Sequence, residues 1–329
     1  MKKYDIYGLG AALVDTEIEV TDDFLASANI EKGLMTLVDE TRQSELLDLM
    51  KDHLVGSKRA SGGSACNSII AASYFGAKTF YSCKVANDEN GHFFHHDTQA
   101  AGVSIPSGEL PNGTTGKCLV MITPDAERTM NTFLGISETL DESQLDPDAI
   151  SESEYLYIEG YLVTSPTGKA AAIKARKIAE QHHVKTAISL SDPGMVQFFG
   201  DGLKEMIGHK VDLLFCNKDE ALSWTGADNI EEAAEAMKAS AKTFAITLGK
   251  DGALVFDGTS MTSIAGESAT AIDTNGAGDM FAGAFLYAVT AGKSFTDAAK
   301  LANIAAAKVV SQYGPRLKPE QHEQLKSLS

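Results

Sequence analysis

The chain has 329 residues, 43% of them hydrophobic and 22% charged, which is ample for a large core without covalent staples. Its 28 Lys plus Arg face 45 Asp plus Glu, a formal net charge of −17, and no basic block stands out. A polyanion needs a basic footprint to release its counterions, so nucleic acid and anionic membranes are excluded as partners, whereas a small anion held by backbone N–H groups is compatible.

The N-terminus, MKKYDIYGLGAALVD, places two Lys before an apolar stretch, but Asp5 and Asp15 interrupt it, so it reads as a strand rather than a secretion signal. Candidate strands follow at 4–10, 78–85, 155–160, 185–190, 213–217 and 244–248, with helical stretches at 64–75, 91–101, 169–182 and 230–239 between them. Two Ala-rich helices at 277–291 and 296–312 close the chain. This alternation predicts a parallel sheet covered on both faces. Runs at 13–20, 34–39, 116–123 and 128–133 cluster without crossover helices and predict a small antiparallel lid, the alternative being edge strands of the main sheet. Cys66, Cys83, Cys118 and Cys216 form no C-x-x-C pair, and no apolar run approaches the ~20 residues of a membrane span. A cytoplasmic protein with reduced thiols is expected.

The stretch Asp273-Thr-Asn-Gly-Ala-Gly-Asp279 is a polar, Gly-rich turn leading into an apolar helix. Free N–H groups at such a helix start can hold a phosphoryl group, while an Asp beside them takes the proton of an attacking hydroxyl. Equally, Asp273, Thr274 and Asn275 read as caps and Asp279 as a residue favoured by the helix dipole. Ser61-Gly-Gly-Ser-Ala-Cys-Asn-Ser68 is a second Gly-rich turn, where Asn67 could donate to and accept from hydroxyls, or simply an ordinary capped loop. Asn217-Lys-Asp-Glu220 follows an apolar strand, where an Asn and a Glu could act on Mg²⁺ and phosphate. Thr247-Leu-Gly-Lys-Asp-Gly-Ala253 is a nucleotide-facing loop or a β-turn. Walker A, dinucleotide and G-x-S-x-G patterns are incomplete or missing, and His92, His95, His96 and Asp97 lack the spacing of a metal site.

In this order the motifs resemble those of the ribokinase/PfkB carbohydrate kinase family. DTNGAGD followed by MFAGAFL is similar to its C-terminal signature, and GGSACNSIIAASYFGA to its N-terminal one. Within the family the chain most resembles adenosine kinases, through GGSACNSI, TTGKCLVMITPDAERTM, DLLFCNKDEA and ALVDTEIEV. It departs from them at Ala11-Ala12, where they carry Asn–Pro. The resemblance implies one ribokinase-like α/β domain over residues 1–329, a mostly parallel central sheet flanked by helices, with a β-stranded lid from about 13–40 and 105–135. It implies transfer of the γ-phosphoryl of ATP, with Mg²⁺, to the 5′-hydroxyl of a nucleoside, adenosine first. The alternatives are a sugar kinase acting on ribose, fructose or 2-keto-3-deoxygluconate, and a non-catalytic nucleoside-binding regulator.

By motif position, Asp279 resembles the general base, and Gly276, Ala277 and Gly278 the anion hole. Asp15, Gly62, Gly63 and Asn67 match sugar-binding positions, with Arg128 reaching the phosphates. Thr247, Gly249, Gly252 and Asn303 match the ATP side. Asn217 and Glu220 match the Mg²⁺/phosphate pair, acting indirectly on the metal, and Asp273 a ligand of a monovalent cation such as K⁺. Monomers and homodimers both occur in the family.

Overall fold

Strands buried on both faces read as continuous apolar runs, whereas half-buried strands alternate. The computed structural model describes residues 2–51, 58–125 and 127–327 and contains both kinds. In chain order its strands are β1 (Tyr4–Leu9), β2 (Leu13–Glu19), β3 (Met35–Leu37), β4 (Lys58–Gly62), β5 (Thr79–Ser82), β6 (Thr115–Ile122), β7 (Arg128–Gly135), β8 (Ser153–Glu159), β9 (Lys185–Ser189), β10 (Val211–Asn217), β11 (Ala241–Thr247), β12 (Ala253–Phe256) and β13 (Met261–Ile264).

One sheet runs β13-β12-β11-β10-β9-β8-β1-β5. Pairings from β5 through β11 are parallel, and β12 and β13 return antiparallel at the edge. In β8, Tyr155 and Tyr157 pack on one side beneath the helices Ser64–Phe75, Ala277–Thr290 and Phe295–Val309, while Leu156 and Ile158 pack on the other beneath Pro166–Gln181 and Pro193–Ile207. Helices thus cover both faces, and the parallel strands end together at one rim. Among the described residues no helix is long and apolar enough to cross a membrane.

The second sheet runs β3-β7-β6-β2-β4 and is separate from the first, so its strands are not edges of the main sheet. It is mixed rather than antiparallel: β2 with β6 and β3 with β7 are parallel, while β2 with β4 and β6 with β7 are antiparallel. Most of these partners come from distant stretches of chain, so no hairpin dictates their direction. Its alternation is clear. Ile18, Leu119 and Met121 face the helices Asp22–Ser27 and Glu40–Leu49, and Cys118, Val120 and Ile122 pack on the opposite face with Leu13 and Met130.

The helices Ser64–Phe75 and Ala277–Thr290 cross in close contact. A Cβ on Gly283 would lie 2.3 Å from the Ser68 carbonyl oxygen and 2.8 Å from the Ala71 Cβ. An alanine there gains about 0.5–1 kcal/mol of helix preference but forces the backbones apart, an overpacking that costs about 1–3 kcal/mol. Gly283→Ala should therefore lower unfolding free energy by about 1–2 kcal/mol in urea titration. A neutral or stabilising effect would show that the crossing tolerates separation.

Candidate active site

The helix Ala277–Thr290 begins at the rim with Gly276, whose φ of 75° is left-handed and whose missing Cβ leaves room for Pro315. The turn before it is tied down by Asp273, which is fully buried and accepts from Asn275 N–H (2.8 Å) and Gly314 N–H (2.8 Å). The N–H groups of Gly276, Gly278 and Asp279 have no partner among the described residues, and that of Ala277 lies 3.4 Å from the Thr274 carbonyl. Orphan donors at a helix start form an anion site.

Asp279 stands in the first turn of this helix. Its Oδ1 accepts from Ser64 Oγ (2.6 Å) and its Oδ2 from Asn67 Nδ2 (3.1 Å), both on the crossing helix. Burial pushes its pKa above the ordinary carboxylate value, against the Ser64 and Asn67 bonds and the charges of Arg128 and Arg316. Arg128, on β7, donates to Asn275 Oδ1 (2.7 Å) and so links the second sheet to the anion turn.

On β2, Asp15 is buried, and its carboxyl group has no hydrogen-bond partner among the described residues. Burial raises its pKa to about 7, with the charge of Arg316 opposing. Gly62 makes room for it, since a Cβ there would lie 2.1 Å from the Asp15 carboxyl group. Glu159, at the end of β8, accepts from Ala11 N–H (2.7 Å) and Ala65 N–H (2.8 Å), and burial lifts its pKa to about 7. It takes the capping position that Gly63, the N-cap of Ser64–Phe75, leaves without a side chain.

A cavity of about 390 Å³ collects Asp15, Gly63, Asn67, Arg128, Asn217, Glu220, Thr247, Gly249, Gly276, Ala277, Gly278 and Asp279 on its walls. Gly62, Gly252, Asp273 and Asn303 lie outside its lining. Gly252, with φ of 99°, packs against the Ile264 carbonyl, and Asn303 Nδ2 donates to the Ala265 carbonyl (3.0 Å), so both shape the loop behind Gly249. Asn217 and Glu220 clasp each other: Glu220 Oε1 accepts from Asn217 Nδ2 (2.7 Å) and Oε2 from Asn217 N–H (3.0 Å). Burial raises the Glu220 pKa to about 7, so a carboxylate on the cavity wall lacks a compensating cation. That donor set fits a hydrated Mg²⁺. Each carboxylate oxygen of Asp273 accepts one backbone N–H, so the residue fixes the turn while a lone pair on each oxygen stays open.

Three groups escape motif reading. Arg316 donates to Asn67 Oδ1 from behind the cavity (3.1 Å). Glu159 is a lone carboxylate, though its place at the carboxyl end of a parallel strand is a usable signal. Asp97, grouped in the sequence with three histidines, instead pairs with Arg316 (2.9 Å) and Ser61, while His92 meets Asn87 Oδ1 (3.0 Å). Among the described residues no cluster of His, Cys, Asp and Glu is arranged to hold a metal ion.

A Gly-rich helix start, a buried Asp held by the N-terminal Gly-Gly helix and a clasped Asn–Glu pair thus share one cavity. Residues 45–322 match the model of the pfkB family of carbohydrate kinases. The chain belongs to this family. It is a kinase, a phosphotransferase with an alcohol group as acceptor, and its α/β fold is ribokinase-like. It is similar to a probable sugar kinase from Rhizobium etli CFN 42 (34% identity, TM-score 0.93, covering 100% of this chain and 99% of that one). It is similar also to the adenosine kinase from Sinorhizobium meliloti (32% identity, TM-score 0.92, covering 99% and 100%). The adenosine kinase of Schizophyllum commune is 25% identical over 97% of this chain and 98% of its own.

The raised pKa of Asp15 carries a stability consequence for the kinase. Between the unfolded carboxylate value of about 4 and the folded value of about 7, the folded state holds the extra proton, so stability falls as pH rises through this window. Asp15→Asn should raise ligand-free stability at pH near 8 by about 1–3 kcal/mol, with the gain vanishing below pH of about 4. Thermal melts across pH check this. A gain independent of pH would mean that Asp15 is not held protonated-prone by burial.

Proposed function

We propose that the kinase transfers the γ-phosphoryl of ATP to the 5′-hydroxyl of a nucleoside, with adenosine as the foremost acceptor. The carrying observation is the contrast on the ceiling of the cavity. Asp15 is a single unpartnered carboxylate, and the second sheet around it offers Leu13, Met35, Leu37, Cys118, Met130 and Leu134. A free sugar presents hydroxyls on every side and needs polar partners for each. A nucleoside matches this ceiling better, its ribose hydroxyls at Asp15 and Asn67 and its flat base on the apolar face. Leu37 is 48% exposed, apolar surface that a bound base would take out of water.

In this reading Asp15 and Asn67 orient the ribose, and the second sheet acts as the lid that excludes water competing for ATP. Asp279 accepts the 5′-hydroxyl proton as that oxygen forms its bond to the γ-phosphorus, and the β–γ bridging bond breaks with its electrons leaving on ADP. The N–H groups of Gly276, Ala277 and Gly278, with Arg128, stabilise the charge on the equatorial oxygens. When bound, Mg²⁺ supplies charge neutralisation along the phosphates, and Asn217 and Glu220 would hold it through water. Thr247 and Gly249 line the ATP side, with Gly252 and Asn303 supporting the loop beneath. Free thiols at all four cysteines support a reducing, cytoplasmic setting.

The test is ADP formation from ATP and Mg²⁺ with adenosine, inosine, guanosine, ribose, fructose and 2-keto-3-deoxygluconate, run beside Asp279→Asn. Adenosine should be turned over, and the variant should lose about 10²–10⁴ in kcat. Turnover of a free sugar alone would discard the nucleoside and keep the base. Near-normal kcat in Asp279→Asn would discard the base.

A further inference from the structure

Arg316 lies after the helix Phe295–Val309, outside the cavity lining and outside every motif above. Its side chain is 14% exposed, yet three of its donors are used. Nε donates to Asn67 Oδ1 (3.1 Å), Nη1 to Asp97 Oδ2 (2.9 Å) and Nη2 to Ser61 Oγ (3.0 Å). Ser61 N–H also donates to Asp97 Oδ2 (3.1 Å), which closes the cluster. The chain on either side is fixed: Gly314 N–H bonds to Asp273, Gln312 Nε2 donates to the Arg316 carbonyl (2.9 Å), and Leu317 is buried.

A guanidinium has donors only, so it can face only the oxygen of the Asn67 amide. The amide nitrogen must then point the other way, where it meets Asp279 Oδ2. Burying a guanidinium is unfavourable unless paired, and Asp97 supplies the pairing charge without touching the cavity. We propose that Arg316 is a positioning residue for phosphoryl transfer, orienting Asn67 against Asp279 and, with Asp97 as counter-ion, placing a positive charge behind the site carboxylates. The inference rests on the reading of Asp279 as the base.

The groups facing Asp279 are Arg128 from β7, Arg316, Asp15 from β2, Tyr157 and Glu159 from β8, and Tyr161. Arg128 and Arg316 are the two cations among them, and Arg128 is engaged with the anion turn. Removing Arg316 should therefore raise the Asp279 pKa, and neutralising Asp97 should lower it.

The experiment follows the carboxyl carbon of Asp279 by NMR in ligand-free protein carrying ¹³C-labelled aspartate, assigned with Asp279→Asn, so no acceptor is required. Arg316→Met should move the titration up by about one pH unit, Asp97→Asn should move it down, and Arg316→Lys should leave it nearly in place. In kinetics, Arg316→Lys should lower kcat roughly tenfold with the acid limb unmoved, because an ammonium keeps the charge but not the fork. A role in folding alone predicts no opposed shifts. If Arg316→Met does not fold, Asp97→Asn decides by its downward shift. A titration that stays put in Asp97→Asn, or moves the same way in both variants, overturns the proposal. Normal turnover in Asp279→Asn overturns the base reading instead.

Discussion

Gly283 sets how near the helices Ser64–Phe75 and Ala277–Thr290 can come, and the site is built on that distance. Ser64 and Asn67 lie on the first turn of one helix, and Asp279 on the first turn of the other. Only when the axes approach do Ser64 Oγ and Asn67 Nδ2 reach the two oxygens of Asp279. Both helices then open toward the rim where the parallel strands end, the place where open α/β sheets bind ligands. The same crossing is a packing contact of the main core, so core and chemistry share one constraint. Asp273 extends it by pinning the turn before Gly276 to Gly314, near the C-terminal end of the chain.

Electrostatics works against this scaffold. A chain with net charge −17 must bind a polyphosphate, and its cavity already holds Asp15, Asp279, Glu159 and Glu220. Burial raises all four pKa values, three of them to about 7. Each is answered differently. Glu159 takes two backbone N–H groups, Glu220 takes its own Asn217 and faces the cavity, Asp279 takes a hydroxyl and an amide, and Asp15 takes nothing. Four buried carboxylates thus make the site electrostatically costly, and any hydrogen-bond donor or cation bound there would relieve that cost. Binding and stability are linked through these carboxylates.

Much of the main sheet is legible in the sequence because its strands are buried on both faces and read as apolar runs, as in Tyr155 through Ile158. β12 and β13 are four residues each, too short for a periodic signal, and Pro193–Ile207 carries glycines at 194, 200 and 202 and a kink at Phe199 that mask its helical pattern. The mixed pairing of the second sheet depends on strands far apart in sequence, which local pattern cannot order. Contiguous motifs such as Asp273–Asp279 carry their own chemistry on one stretch of chain. Arg316 does not: its bond to Asn67 spans 249 positions, and nothing local to Gly314-Pro-Arg-Leu distinguishes it from a surface residue. Asp97 shows the converse, since its histidine neighbours suggest a metal while its partner is that same arginine.

The departure at Ala11-Ala12 becomes intelligible in the same terms. These residues carry the chain from β1 to β2, from the main sheet to the second one, and every backbone polar group there is paired. Ala11 N–H donates to Glu159 and its carbonyl accepts from Tyr81 Oη (2.8 Å), while Ala12 N–H donates to Ser137 Oγ (3.0 Å), which also lies 2.8 Å from the Ala12 carbonyl. A proline at position 12 would have no N–H for Ser137, so Ala12 and Ser137 belong together as one local solution. Small side chains suit it, because Ala11 and Ala12 are buried and Gly63 packs against the Ala11 carbonyl. The crossing is thereby a fixed point rather than a loose joint. Glu159 thus ties the backbone at Ala11, four residues before Asp15 on the way into β2, to the start of the helix carrying Ser64 and Asn67. The chain leading to Asp15 and the helix whose Ser64 and Asn67 bond Asp279 are therefore placed relative to one another through buried hydrogen bonds to Glu159.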